Sequence, residues 1–159
     1  MSADPLATSL LFEVFALDQA VGRLLEGVMA AGPLDPAEYA IYSAVFELEA
    51  ATPTAIAERL GLPLTTLVDR LRDVEARGHA RRLPNAGDRR SHLIVLTAAG
   101  LAAHAAAGRL FEIARRAVAA ALPGPEAEIR DGLRRLRAAV DEARLVAPVS
   151  PRRWADRAG

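Results

Sequence analysis

Four helix punctuation signals between residues 52 and 78 leave this chain few ways to fold. Thr52-Pro53 opens a short helix, read as 53 to 60, since proline is tolerated where the first-turn N–H has no partner anyway. Gly61 ends it by adopting the left-handed backbone at small cost. Pro63 opens the next helix, which runs to Arg77 and stops at Gly78, leaving Leu62 as a cap without a capping oxygen. Two helices joined by so tight a turn must cross steeply. This is the helix-turn-helix spacing.

The flanks are also helical. Asp4-Pro5 is read as the start of a first helix, in which Leu10, Val14, Leu17, Val21, Leu24 and Val28 recur at four-three spacing until Gly32-Pro33. Asp35-Pro36-Ala37-Glu38 has the form of a capping box and starts a second helix running to about Ala50. Thr97 caps a long fifth helix reaching about Leu122, and Pro123-Gly124-Pro125 breaks it. A sixth helix carries Ile129, Leu133, Leu136, Val140 and Ala143. Residues 147–159, rich in Pro and Arg, are expected to form a flexible tail.

Between helices four and five, 80–83 and 91–96 read as strands around the turn Pro84-Asn85-Ala86-Gly87-Asp88, whose residue types suit turn dihedrals. The expected fold is therefore mainly α, six helices with a small two-stranded β-wing: a winged helix-turn-helix that dimerises through its N- and C-terminal helices. One domain spans residues 1–159, with 5–31 and 98–146 as dimerisation helices and 35–97 as a DNA-binding lobe.

Net charge is zero, yet it is unevenly placed. Residues 1–51 hold eight acids and one base, Arg23, a balance of −7; residues 52–97 hold eight arginines and five acids, +3. Arg77, Arg81, Arg82, Arg89 and Arg90 fall within fourteen residues, a cluster able to neutralise phosphates on a neutral protein. Cysteine is absent, which excludes thiol nucleophiles, cysteine zinc sites and disulfides. His79, His92 and His104 share no metal-ligand spacing. With no Gly-rich phosphate loop and no serine nucleophile motif either, an enzyme, a metal site and a cofactor are not expected. The chain shows no signal peptide and no apolar run of membrane-spanning length, so a cytoplasmic protein is expected.

An ordered set of short motifs then resembles the MarR (multiple antibiotic resistance regulator) family. It comprises Ile56-Ala57-Glu58-Arg59-Leu60-Gly61-Leu62, Glu75-Ala76-Arg77-Gly78, Asp88-Arg89-Arg90-Ser91 and Leu96-Thr97-Ala98-Ala99-Gly100, and with the helix order it covers most of residues 5–146. The resemblance implies a DNA-binding transcription regulator, an effector-responsive repressor that binds a pseudo-palindromic operator as a homodimer. It implies that Pro63, Thr65, Thr66, Asp69, Arg70 and Arg72 lie in or over the major groove, with Thr54, Arg77 and Arg82 beside them. Arg90 matches the wing arginine that enters the minor groove; Arg89 would meet a phosphate, and Ser91 closes the motif. Asp88 accepts hydrogen bonds that hold the turn and aim Arg90. Asp69 and Val68 depart from the family's usual basic, hydroxyl or polar choices; an acid repels phosphate but accepts from a cytosine amino group.

Two-fold pairing places recognition helices about 34 Å apart, one DNA turn. Leu10, Val14, Leu17, Val21, Ile129, Leu133, Leu136 and Val140 are the expected dimer contacts. Phe12, Phe15, Tyr39, Tyr42, Phe46 and Phe111 read either as core or, as the resemblance implies, as a pocket for a small, often phenolic, effector. The acidic first helix, Asp69 and zero net charge motivate one rival reading: a winged-helix module that binds proteins or ligands and has no DNA affinity.

Overall fold

The computed structural model describes residues 9–146 and contains six helices and one two-stranded antiparallel sheet. Asp4-Pro5 and the 147–159 tail lie outside the described residues. The chain divides into two compact units, up to Ala117 and from Val118 onward.

In the first unit, α1 (Leu10–Met29) begins at the first residue of its apolar pattern, after the extended Ser9 (φ −79°, ψ 126°). Helix α2 (Pro36–Leu48) begins with the capping box intact: Glu38 N donates to Asp35 Oδ1 at 2.7 Å and Asp35 N to Glu38 Oε2 at 3.1 Å. It ends at Leu48, short of the expected Ala50, because Glu49 turns to φ 60°. Helix α3 (Pro53–Leu60) is capped by Thr52, whose hydroxyl accepts from Ala55 N at 3.2 Å. Gly61 at φ 69°, ψ 25° closes it, and α4 (Leu64–Ala76) follows. Leu62 is not the α4 cap as expected; Pro63 is, its carbonyl accepting from Leu67 N at 3.1 Å with no side-chain cap.

Strand β1 (Ala80–Pro84) pairs with β2 (His92–Leu96) in the register Ala80↔Leu96 to Pro84↔His92. A one-residue bridge adds Ala51 to Ile94, with Ile94 N donating to Ala51 O at 2.8 Å, an edge that the sequence does not signal. Helix α5 (Ala98–Ala121) follows. The core joins Ile41, Tyr42 and Val45 of α2, Ile56 of α3, Leu67, Leu71 and Val74 of α4, Ile94 of β2 and Ala107 of α5, all essentially buried. Each large side chain there contributes about 1.5–3 kcal/mol of transfer free energy.

The second unit contains α6 (Glu126–Val146). No α6 residue is buried, and Ile129, Leu133 and Val140 are exposed along a stripe flanked by the i,i+3 and i,i+4 ion pairs Asp131–Arg134 and Arg137–Asp141. Among the described residues no helix is long and apolar enough to cross a membrane.

Candidate nucleic-acid interface

The second helix of the helix-turn-helix, α4, is amphipathic for a simple reason. Leu67, Leu71 and Val74 recur at four-three spacing and are buried, so helical geometry turns Thr65, Asp69 and Arg72 to the opposite side, where all three are exposed. Arg70 and Thr66 are exposed too, but on the flanks of this stripe. Arg72 Nη1 donates to Asp69 Oδ1 at 2.6 Å, an i,i+3 pair on the outward face. The stripe of the helix is thus centred on Asp69 and Arg72 more than on Arg70, a distinction that one-dimensional reading did not draw. Thr54, in the first turn of α3, and Pro63, the residue before α4, are exposed as well.

The turn between β1 and β2 is held by its own side chains. Gly87 N donates to Asn85 Oδ1 at 3.0 Å, Asn85 Nδ2 to Ser91 Oγ at 2.8 Å, and Ser91 Oγ to Asp88 O at 3.1 Å. Asp88 Oδ1 accepts from Arg90 N at 2.9 Å, an Asx-type turn that holds the backbone from which the Arg90 side chain extends. Both Arg89 and Arg90 are exposed.

The arginines separate into two sets. Arg77 Nη2 reaches Glu38 on α2 at 2.7 Å, and Arg82 Nε reaches Glu75 on α4 at 2.7 Å. The hydrogen bond that Arg82 donates to Glu75 raises the Arg82 pKa above its ordinary value, against a smaller effect of burial. Arg77 ties the end of α4 to α2 and Arg82 ties β1 to α4, so their expected placement on DNA competes with an intramolecular partner. Arg70, Arg81, Arg89 and Arg90 form no ion pair among the described residues.

The wing is set against the body by residues of the second and last motifs. Thr97 Oγ1 donates to Gly78 O at 2.7 Å and accepts from Gly100 N at 3.2 Å, so one hydroxyl caps α5 and clamps the exit of α4. A Cβ on Gly100 would stand 2.0 Å from His79 O, which makes glycine obligatory there. Behind this junction Tyr42, fully buried, shares a 2.9 Å hydrogen bond with His79 Nδ1. Burial raises the Tyr42 phenol pKa, opposed in part by Arg77.

The six aromatic residues fall in different places: Tyr39, Phe46 and Phe111 gather around His104, Tyr42 is buried, and Phe12 and Phe15 are exposed. Phe12 and Phe15 are 48% and 61% exposed on α1, where every residue from Leu10 to Ala20 is exposed, because the first unit buries only the C-terminal end of that helix. Tyr42 is core. Tyr39 stacks on His104 (5.3 Å, 16°) and meets Phe111 at 5.1 Å, while Phe46 covers His104 at 4.8 Å. His104 Nε2 lies 3.1 Å from Ser43 Oγ, and burial holds its imidazole pKa below the usual histidine value. A cleft of about 340 Å³ opens beside this cluster, lined in part by Leu25, Met29, Tyr39, Ser43, Glu47 and Phe111. Of the six expected residues only Tyr39 and Phe111 line it. No group of three or more metal-ligating side chains occurs among the described residues.

No family model matches the chain. It is 34% identical over 95 residues to the HTH-type transcriptional regulator TtmR of Methylorubrum extorquens (strain PA1), covering 60% of this chain; the chain spans about half (49%) of that relative's length. Its fold is that of several solved structures. The CouR transcriptional repressor bound to a 23-mer DNA duplex superposes with a TM-score of 0.72 at 25% identity, covering 89% of this chain and 98% of that one. PcaV of Streptomyces coelicolor, solved with its natural ligand, gives 0.73 at 24% identity over 90% and 99%. Wild-type MarR of E. coli gives 0.65 at 22% identity over 80% and 94%. The chain thus has the winged-helix fold that these MarR, PcaV and CouR structures share.

Proposed function

We propose that this chain is a homodimeric, DNA-binding transcription regulator, a repressor whose hold on a pseudo-palindromic operator is released by a small effector. The observation that carries the reading is the exposed Thr65–Asp69–Arg72 stripe of α4, anchored from behind by Leu67, Leu71 and Val74, together with a self-braced turn bearing Arg89 and Arg90. A helix of this kind fits the major groove and an arginine-tipped hairpin the neighbouring minor groove. CouR, of the same fold, was solved on duplex DNA, which supports the assignment. The similar proteins are named as transcription regulators, in keeping with a non-enzyme.

Dimerisation follows from unburied apolar surface. Leu10, Val14, Leu17 and Val21 on α1, and Ile129, Leu133 and Val140 on α6, are exposed, and half-buried Leu136 continues the second stripe. Faces of this size call for a cover, and a second copy supplies it with two-fold symmetry. In this reading residues 5–31 and 98–146 pair the protomers and 35–97 bind DNA. The cleft beside Tyr39 and Phe111 is the effector site, with PcaV and its ligand as the supporting case. An effector acts only through different affinity for two spacings of the recognition helices. As a regulator the protein acts in the cytoplasm.

Selection from a random DNA pool, followed by gel shift over a salt series, tests this. A recovered inverted repeat and a steep fall of affinity with salt are expected. The rival module without DNA affinity, motivated by Asp69 and the zero net charge, wins if random duplex fails to bind at low salt.

A further inference from the structure

The Asp69–Arg72 pair has no structural duty. Both side chains are strongly exposed, 72% and 67%, on the side of α4 away from the core. An exposed pair of this kind contributes little to stability. An acid in the middle of a DNA-facing stripe also weakens non-specific attraction to phosphate. A costly and structurally idle group at the centre of a recognition surface points to discrimination.

We propose that Asp69 is a positioning residue that holds Arg72 to read a guanine in each half-site, an inference that rests on the DNA-binding function proposed above. The 2.6 Å bond engages Nη1 of Arg72 and leaves further N–H donors of the same rigid fork unengaged by Asp69. Guanine presents two acceptors, N7 and O6, in the major groove, which that fork matches; adenine replaces one of them with an amino donor. Asp69 restrains the long arginine stem that otherwise swings to phosphate, and its carboxylate accepts from the cytosine amino group alongside. Donors and acceptor side by side thus suit a G·C pair and reject A·T, where the carboxylate meets the thymine O4 acceptor. Arg70, on the flank and without an ion pair, serves a phosphate instead.

Random-pool selection with the full-length protein, its Asp69→Ala, Asp69→Asn, Arg72→Ala and Arg70→Ala variants, and a parallel titration of random duplex at low salt test this. Wild type is expected to enrich a G·C pair at one symmetric position. Arg72→Ala and Asp69→Ala both lose that preference by roughly tenfold or more, while Asp69→Ala binds random duplex at least as well as wild type. Asp69→Asn, keeping an acceptor oxygen, retains more of the preference than Asp69→Ala. Arg70→Ala weakens all sequences alike and leaves the motif unchanged. A wild-type motif whose G·C position survives Asp69→Ala intact overturns the pairing role alone. A wild type that binds neither selected nor random duplex overturns the regulator reading, and this inference with it.

Discussion

The Thr97 hydroxyl donates to the Gly78 carbonyl across nineteen residues at 2.7 Å, and so binds the end of the recognition-type helix to the start of α5. The same oxygen accepts from Gly100 N, and the Thr97 amide donates to His79 O at 2.9 Å. One residue therefore sets where the wing leaves the body. Thr97→Val keeps the shape and removes the hydrogen bonds, so stability should fall by about 1–2 kcal/mol. Urea unfolding measures it; an unchanged midpoint would show the clamp to be idle.

Gly100→Ala is expected to cost more. The added methyl group meets the His79 carbonyl at 2.0 Å, and backbone rather than a flexible side chain must move. A loss of about 3 kcal/mol follows, at the upper end of overpacking effects. Gly22→Ala, with open space around its Cβ, is the matched control and should leave the unfolding curve where it was or raise it slightly.

In the wing, Arg90→Ala should weaken operator binding by about 1–3 kcal/mol. Asp88→Ala should weaken it less, since it removes only the 2.9 Å bond that holds the Arg90 backbone. Gel shift at fixed salt ranks the two. If Asp88→Ala costs more than Arg90→Ala, the turn matters and the guanidinium does not.

His104 makes stability depend on pH. Burial depresses its folded pKa below the ordinary value near 6.5, so the unfolded chain takes up the proton first as pH falls. Its contribution is complete above pH about 6.5 and declines below it, until the folded pKa is passed. Thermal melting between pH 7.5 and about 5 should show this loss, and His104→Gln should flatten that part of the profile. An identical slope in the variant assigns the loss to other groups.

Leu17→Glu places a charge on the exposed apolar face of α1 without touching the core. If that face pairs two copies, sedimentation should report a monomer for the variant and a dimer for the parent, with helical content unchanged. A dimeric variant would move the interface elsewhere.

What was readable from sequence is what short-range chemistry controls. Asp35 and Glu38 form their capping box, Thr52-Pro53 starts α3, Gly61 takes the left-handed backbone, and the Leu67–Leu71–Val74 stripe announces which side of α4 is buried. Each depends on neighbours within about four residues, so the sequence by itself determined the elements and their order. Partners far apart in the chain carry no such local mark. Only the tertiary structure decided that Arg77 goes to Glu38 and Arg82 to Glu75, that Tyr42 seeks His79, that Ala51 joins Ile94, and that Phe12 and Phe15 stay away from Tyr39 and Phe111. A guanidinium or a ring is equally suited to solvent, core, carboxylate or ligand, and its choice depends on which helix packing brings the better neighbour within reach.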